Sequence, residues 1–184
     1  MQFRKVSTVF GFLIGMTIAI FGVFFFNFAN FLSYGGRTLG DLFSEVVDHT
    51  FTGLYEFSWM GFRFNLFKFF ENTDISIVEE FIPVFLCWLF SGFFTGLFVI
   101  GAKRGLLFGF ITISFMVIIW LCFAILSGAN ITFVFIGNIY ETGGGILIAL
   151  ISILLGAAIG GAISGAISIS VENRKIVKDV TFKK

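Results

Sequence analysis

Charge is the scarcest property of this sequence. Asp, Glu, Lys and Arg make up only 12% of its 184 residues, about half the share of a soluble domain. Hydrophobic residues make up 58% and mean hydropathy is +1.02. So little polar surface cannot coat a soluble fold of this size, and the expected solvent is lipid. The net charge of +1 carries no nucleic-acid footprint. Two cysteines, Cys87 and Cys122, make neither a disulfide framework nor a zinc spacing. They fall at similar depth on consecutive helices, where they read as small apolar residues, with mutual contact as the alternative. One histidine, His49, has Glu45 four residues before it, and it reads as solvated on a polar helix face. No metal or other cofactor is expected.

Four apolar runs are long enough to cross a bilayer as helices, about 6–32, 80–102, 105–127 and 146–170. Inside their ends they hold no Asp, Glu, Lys, Arg or His. Ion-coupled carriers and voltage sensors use such groups within the membrane, and intramembrane hydrolases need a nucleophile with a base or a metal. Neither GxSxG nor HExxH occurs, so no enzyme activity is expected in the spans. The fold expected is an all-α polytopic membrane protein forming a single membrane domain over 1–184.

Glycine and phenylalanine are abundant, at 22 and 30 residues. The phenylalanines read as base-composition bias where any apolar residue serves. The glycines are patterned. Gly11 and Gly15, Gly92 and Gly96, Gly105 and Gly109, Gly156 and Gly160, and Gly161 and Gly165 are each four apart, hence on one helix face. Close backbone approach over such faces drives helix association in lipid, where hydrophobicity does not discriminate. The last run is the extreme case. Its positions 152, 156, 160, 164 and 168 are Ser or Gly, while 157, 161 and 165 are Ala or Gly. Positions 158, 162 and 166 are Ala, and 151, 155, 159, 163 and 167 are Ile or Leu. It therefore has three smooth rows and one bulky ridge. The small residues crowd one half of every run and bulky residues such as Phe24–Phe26, Trp88 and Trp120 the other, which predicts a bundle tight at one end and splayed at the other.

Residues 33–79 form the long polar loop. Thr38 with Asp41 resembles a helix start. Leu39, Leu42, Phe43, Val46, Val47 and Leu54 recur at helical spacing, predicting one amphipathic interfacial helix over 39–56. Trp59 and the Phe62–Phe70 aromatics suit the headgroup level. Ser76 with Glu79 matches a capping box, and Pro83 is harmless if the second helix starts near Glu80. Lys103-Arg104-Gly105 reads as a charged hairpin. Asn130-Ile131-Thr132 is an N-x-T sequon, which makes Asn130 a candidate glycosylation site. Residues 171–184 are a basic tail.

Nine of the 12 Lys and Arg residues fall on the side of the two termini, which places both termini in the cytoplasm of a multi-pass cell-membrane protein. Nine of the 11 acidic residues fall on the other side. The function expected is that of a non-catalytic accessory or scaffold subunit, packing through its GxxxG faces onto other membrane subunits or onto itself among membrane lipids. The alternatives are an oligomeric pore lined by Ser152, Ser164, Ser168, Ser170, Asn27 and Asn30, and an outer binding module using Asp41, Glu45 and Asp48.

Overall fold

The computed structural model describes residues 2–28, 30–71, 75–130, 132 and 139–181. Four helices are long and apolar enough to cross a membrane: α1 (Gln2–Phe25), α5 (Ile75–Val99), α6 (Ala102–Leu126) and α7 (Ile139–Thr181). Between α1 and α5 come β1 (Ser33–Tyr34), β2 (Arg37–Thr38), α2 (Leu39–Asp48), α3 (Thr50–Trp59), a 3-10 turn (Met60–Phe62) and α4 (Leu66–Glu71). In space α5 is central, packed between α1 and α7, and α6 lies mainly against α7. The bundle has a turn end, at residues 100–101, and a loop end, which carries β1 to α4.

Several boundaries differ from the sequence reading. Helix α1 stops at Phe25, not at 32. The chain then leaves the helix, and the Asn27 amide donates to the Ser33 carbonyl (2.5 Å). Gly35 and Gly36 both have positive φ (60° and 80°), which lets the chain reverse as a tight hairpin pairing Ser33 with Thr38 and Tyr34 with Arg37. The single helix expected over 39–56 is two, broken at His49 (φ −137°, ψ 74°). Gly53 permits the sharp corner, because a Cβ there would overlap the backbone of Val46. The Thr38–Asp41 capping box is present. Helix α5 begins at Ile75, so Ser76 lies in its first turn and Pro83 inside it. The chain reverses at Ile100-Gly101, and Lys103 and Arg104 are the exposed first turn of α6. Helix α7 outruns the expected 146–170 at both ends.

Candidate functional site

The turn half of the bundle is held by backbone approach. A Cβ at Gly92 would overlap the Ile153 carbonyl and one at Gly96 the Ala157 carbonyl. Reciprocally, Gly156 faces the Leu89 carbonyl and Gly160 the Phe93 carbonyl. On the α6 side, Gly105 meets the Ala157 carbonyl and Gly109 the Ala157 Cβ (2.9 Å). Gly161 sits against Gly101, whose N–H donates to the Gly161 carbonyl (3.0 Å), and Gly165 touches Gly101 at ordinary distance. Gly11 and Gly15 receive Phe98 and Thr95. All ten glycines singled out in the sequence thus face neighbours within this one chain.

Bare glycine carbonyls also accept hydroxyl bonds. Ser91 Oγ donates to Gly15 (2.7 Å), Thr95 Oγ1 lies 3.4 Å from the Gly11 carbonyl, and Ser164 Oγ lies 3.3 Å from that of Gly96. Ser7 donates to Phe98 across the same α1–α5 seam (2.7 Å). Such interhelical bonds contribute about 0.6 kcal/mol each in membrane proteins.

The loop half is wider, and the chain fills it itself. The 3-10 turn enters between the helices, with Met60, Phe62 and Phe64 each at most 1% exposed. Trp88 Nε1 donates to the Gly61 carbonyl (2.6 Å). Phe62 stacks on Trp88 (5.1 Å), and Trp59 stacks on Trp120 (5.2 Å). Helix α7 yields room through Gly145, where a Cβ would overlap the Phe62 carbonyl, and Gly144, which faces Leu66. Ala19 and Trp120, level with this turn, lie about 9 Å along their helices from the loop ends. The sequence reading sets Trp59, Phe62 and Phe64 at the headgroup level, whereas the structure buries Phe62 and Phe64. Its missed signals were the Gly61 flanked by bulky apolar residues and the glycines at 144 and 145.

Within this one chain the polar groups proposed for an oligomeric pore lie in different surroundings. Ser152 is buried and bonds back to the Ile148 carbonyl (2.7 Å), Ser164 lies in the α5–α7 seam, and Ser170 is exposed. Asn27 is engaged in the loop, and the Asn30 carbonyl accepts from Ser33. The acidic loop is largely committed too. Asp41 caps α2, and hydrogen bonds from the Thr38 backbone and hydroxyl hold its pKa below the usual carboxylate value. Glu45 and Glu56 lie 3.4 and 3.9 Å from Arg37. Asp48 and His49 are exposed. Among the described residues no three metal-ligating side chains converge. Cys87 is buried against Gly22 on α1 while Cys122 is exposed on α6, so the contact considered between them does not form. Asn130 is exposed, but Ile131, the middle of its sequon, lies outside the described residues, as does most of the apolar 131–136 stretch.

What the bundle leaves outside is equally defined. On α7 the ridge Ile151, Leu155, Ile159, Ile163 and Ile167 faces outward. Beside it the third small row is uncovered, with Ala158 partly exposed and Ala162 and Ala166 exposed. An apolar groove of about 510 Å³ between α1 and α5 is lined by Phe21, Phe25, Phe26, Phe28, Phe90 and Phe94 with Thr17, Ile18 and Gly22. Thr17 offers it no free donor, since its hydroxyl bonds to Leu13 (3.0 Å). Set against protein-family models, curated proteins and solved structures, the chain matches none.

Proposed function

We propose that this chain is a non-catalytic integral membrane protein, inserted through its four long helices with both termini cytoplasmic, and that it serves as an accessory or scaffold subunit of a larger membrane complex. The observation that carries the reading is the Ala158–Ala162–Ala166 row. Helix α7 has three smooth rows; α5 and α6 consume two, and the third lies open beside a bulky ridge. Close backbone approach needs such a row, and nothing within the described bundle uses it. The GxxxG pairs themselves are removed from the partner surface, because their neighbours are internal. The orientation rests on the sequence, in which nine of the 12 basic residues fall on the side of the two termini.

Support also comes from the chemistry of the long helices. The hydroxyls of Ser7, Ser91, Thr95, Thr112 and Ser152 are spent on backbone carbonyls, and the Asp, Glu, Lys and Arg residues of the long helices sit toward their ends. The test is the double substitution Ala162→Leu with Ala166→Leu, read by native mass spectrometry after mild extraction. The expected result is loss of the larger species with a folded chain. Retention of the complex by this variant, or solute flux through liposomes holding the purified chain, overturns the reading.

A further inference from the structure

Helix α3 packs against the sides of the long helices. Tyr55 and Trp59 stack on Trp120 of α6, with ring centroids 6.2 and 5.2 Å apart. Phe57 meets Phe21 and Phe24 of α1 at 5.4 and 6.0 Å. All three of those partners lie inside the apolar stretches Val6–Phe25 and Ala102–Leu126. Trp120 precedes the end of α6 by six residues and Phe21 that of α1 by four, which is about 9 and 6 Å along the helix axes. Helix α2 is tied to the same level through α3. Leu42 is fully buried in the core that includes Phe57, and the Phe43 ring lies 5.8 Å from that of Phe57.

At about 100° per residue, α2 divides into three strips. Leu42 points into the core, with half-buried Val46 beside it. About 100–140° round from Leu42 in one direction come Phe43 and Val47, 52% and 82% exposed. About 60–160° round in the other come Glu45, Asp41, Asp48 and Ser44, of which the last three are exposed. A helix bordered only by core and water has two strips; the third calls for a third medium. Exposed apolar side chains also link the outside of α1 to the start of α2. Phe31 packs edge-on against Phe25 at the end of α1 (5.4 Å), and the Leu32 carbonyl accepts from the Leu39 N–H (2.9 Å). Phe25, Phe31 and Leu32 are each more than half exposed.

We propose that α2 is seated in the membrane interface beside the bundle, its Phe43–Val47 strip against lipid acyl chains and its Asp41, Ser44 and Asp48 strip toward headgroups and water. Lipid is the occupant because the strip continues the apolar outside of α1 at the level of its last turns. It also lacks the row of small residues that a partner helix needs for close approach. Interfacial helices bury their apolar face about 5–10 Å below the headgroup boundary, the depth at which α3 meets Phe21 and Trp120. Helix α3 is thereby covered by protein and α2 is the element that meets the bilayer, which divides between two helices the interfacial role that the sequence assigns to one. The inference rests on membrane insertion but not on the subunit reading.

The test is site-directed spin labelling of the full chain in phosphatidylcholine vesicles. The background is Cys122→Ser, which leaves only buried Cys87, and the parent without an introduced cysteine controls for labelling there. Nitroxides at Phe43→Cys, Val47→Cys, Ser44→Cys and Asp48→Cys are read for collision with oxygen, which concentrates in lipid, and with a water-soluble nickel chelate. Ile118→Cys, at an exposed position well inside α6, reports insertion. The ratio of oxygen to nickel collision at 43 and 47 is expected to exceed that at 44 and 48 severalfold and to approach that at 118. Nickel access at 47 equal to that at 48, with 118 in lipid, overturns the proposal, as does exclusion of both reagents from 47, which would mean that protein covers it. Nickel access at 118 removes the insertion on which it stands.

Discussion

The indole of Trp88 donates to the carbonyl of Gly61 at 2.6 Å, tying the middle of one long helix to a turn that arrives from the loop. Both groups are buried. Backbone outside regular secondary structure survives at such depth only when protein surrounds it and satisfies its polar groups. Trp88→Phe keeps the ring stack with Phe62 in outline and removes the donor. The Gly61 carbonyl then loses its partner, at a cost of about 1–3 kcal/mol. Lower thermal stability in detergent, with faster proteolysis within 57–64, is the expected outcome.

The glycine seam and the alanine row separate folding from assembly. Gly156→Ala pushes a methyl into the Leu89 carbonyl, and Gly96→Ala into that of Ala157. Neither neighbour is a flexible side chain that can move aside, so each change costs at least about 1–3 kcal/mol, and leucine at either site abolishes the folded monomer. Ala162→Leu adds bulk to an exposed position, so its effect on the isolated chain stays within about 0.5 kcal/mol. Circular dichroism melts of the purified variants give the comparison.

Ile100 has φ +58° at the α5–α6 turn, a conformation a β-branched residue occupies only under strain. Ile100→Gly is expected to stabilise the chain by about 1 kcal/mol, raising its melting temperature. Gly101 (φ 105°) tolerates no such change: Gly101→Ala is expected to destabilise, and to disturb the bond to Gly161.

The cap of α2 is acid-sensitive. The native pKa of Asp41 is depressed by its bonds from Thr38. Its contribution is therefore present above the ordinary carboxylate value, 3.8, and is lost as pH falls through the lower native value. Amide exchange in 39–44, corrected for its intrinsic pH dependence, should lose protection below that range. Asp41→Asn should remove this acid-specific loss.

The four apolar runs and the depth pattern of small residues were legible because lipid-soluble helices leave long uninterrupted signals, and glycine four apart has one geometric meaning. Which partner a glycine meets was not legible: Gly156 reads the same whether Leu89 or a second protein faces it. The sequence reading overextends α1 because Phe26, Phe28, Phe31 and Leu32 continue the apolar run and Asn27 and Asn30 suit a membrane interface, whereas Asn27 instead bonds to the Ser33 carbonyl ahead of the Gly35-Gly36 reversal. The break at His49 was hidden by periodicity that resumes at Leu54, with Gly53 its one local sign. Trp59, Phe62 and Phe64 read as interfacial because aromatics suit both environments. Deciding between them required Gly144 and Gly145, some 80 residues away in sequence, to be seen as space left for another backbone.

The most direct measurement is native mass spectrometry of the chain extracted mildly from the membranes that hold it, wild type beside the Ala162→Leu, Ala166→Leu variant. A defined heteromeric species in the wild type, collapsing to a folded monomer in the variant, is the predicted result. A wild-type chain that leaves the membrane alone or only with copies of itself would contradict the account.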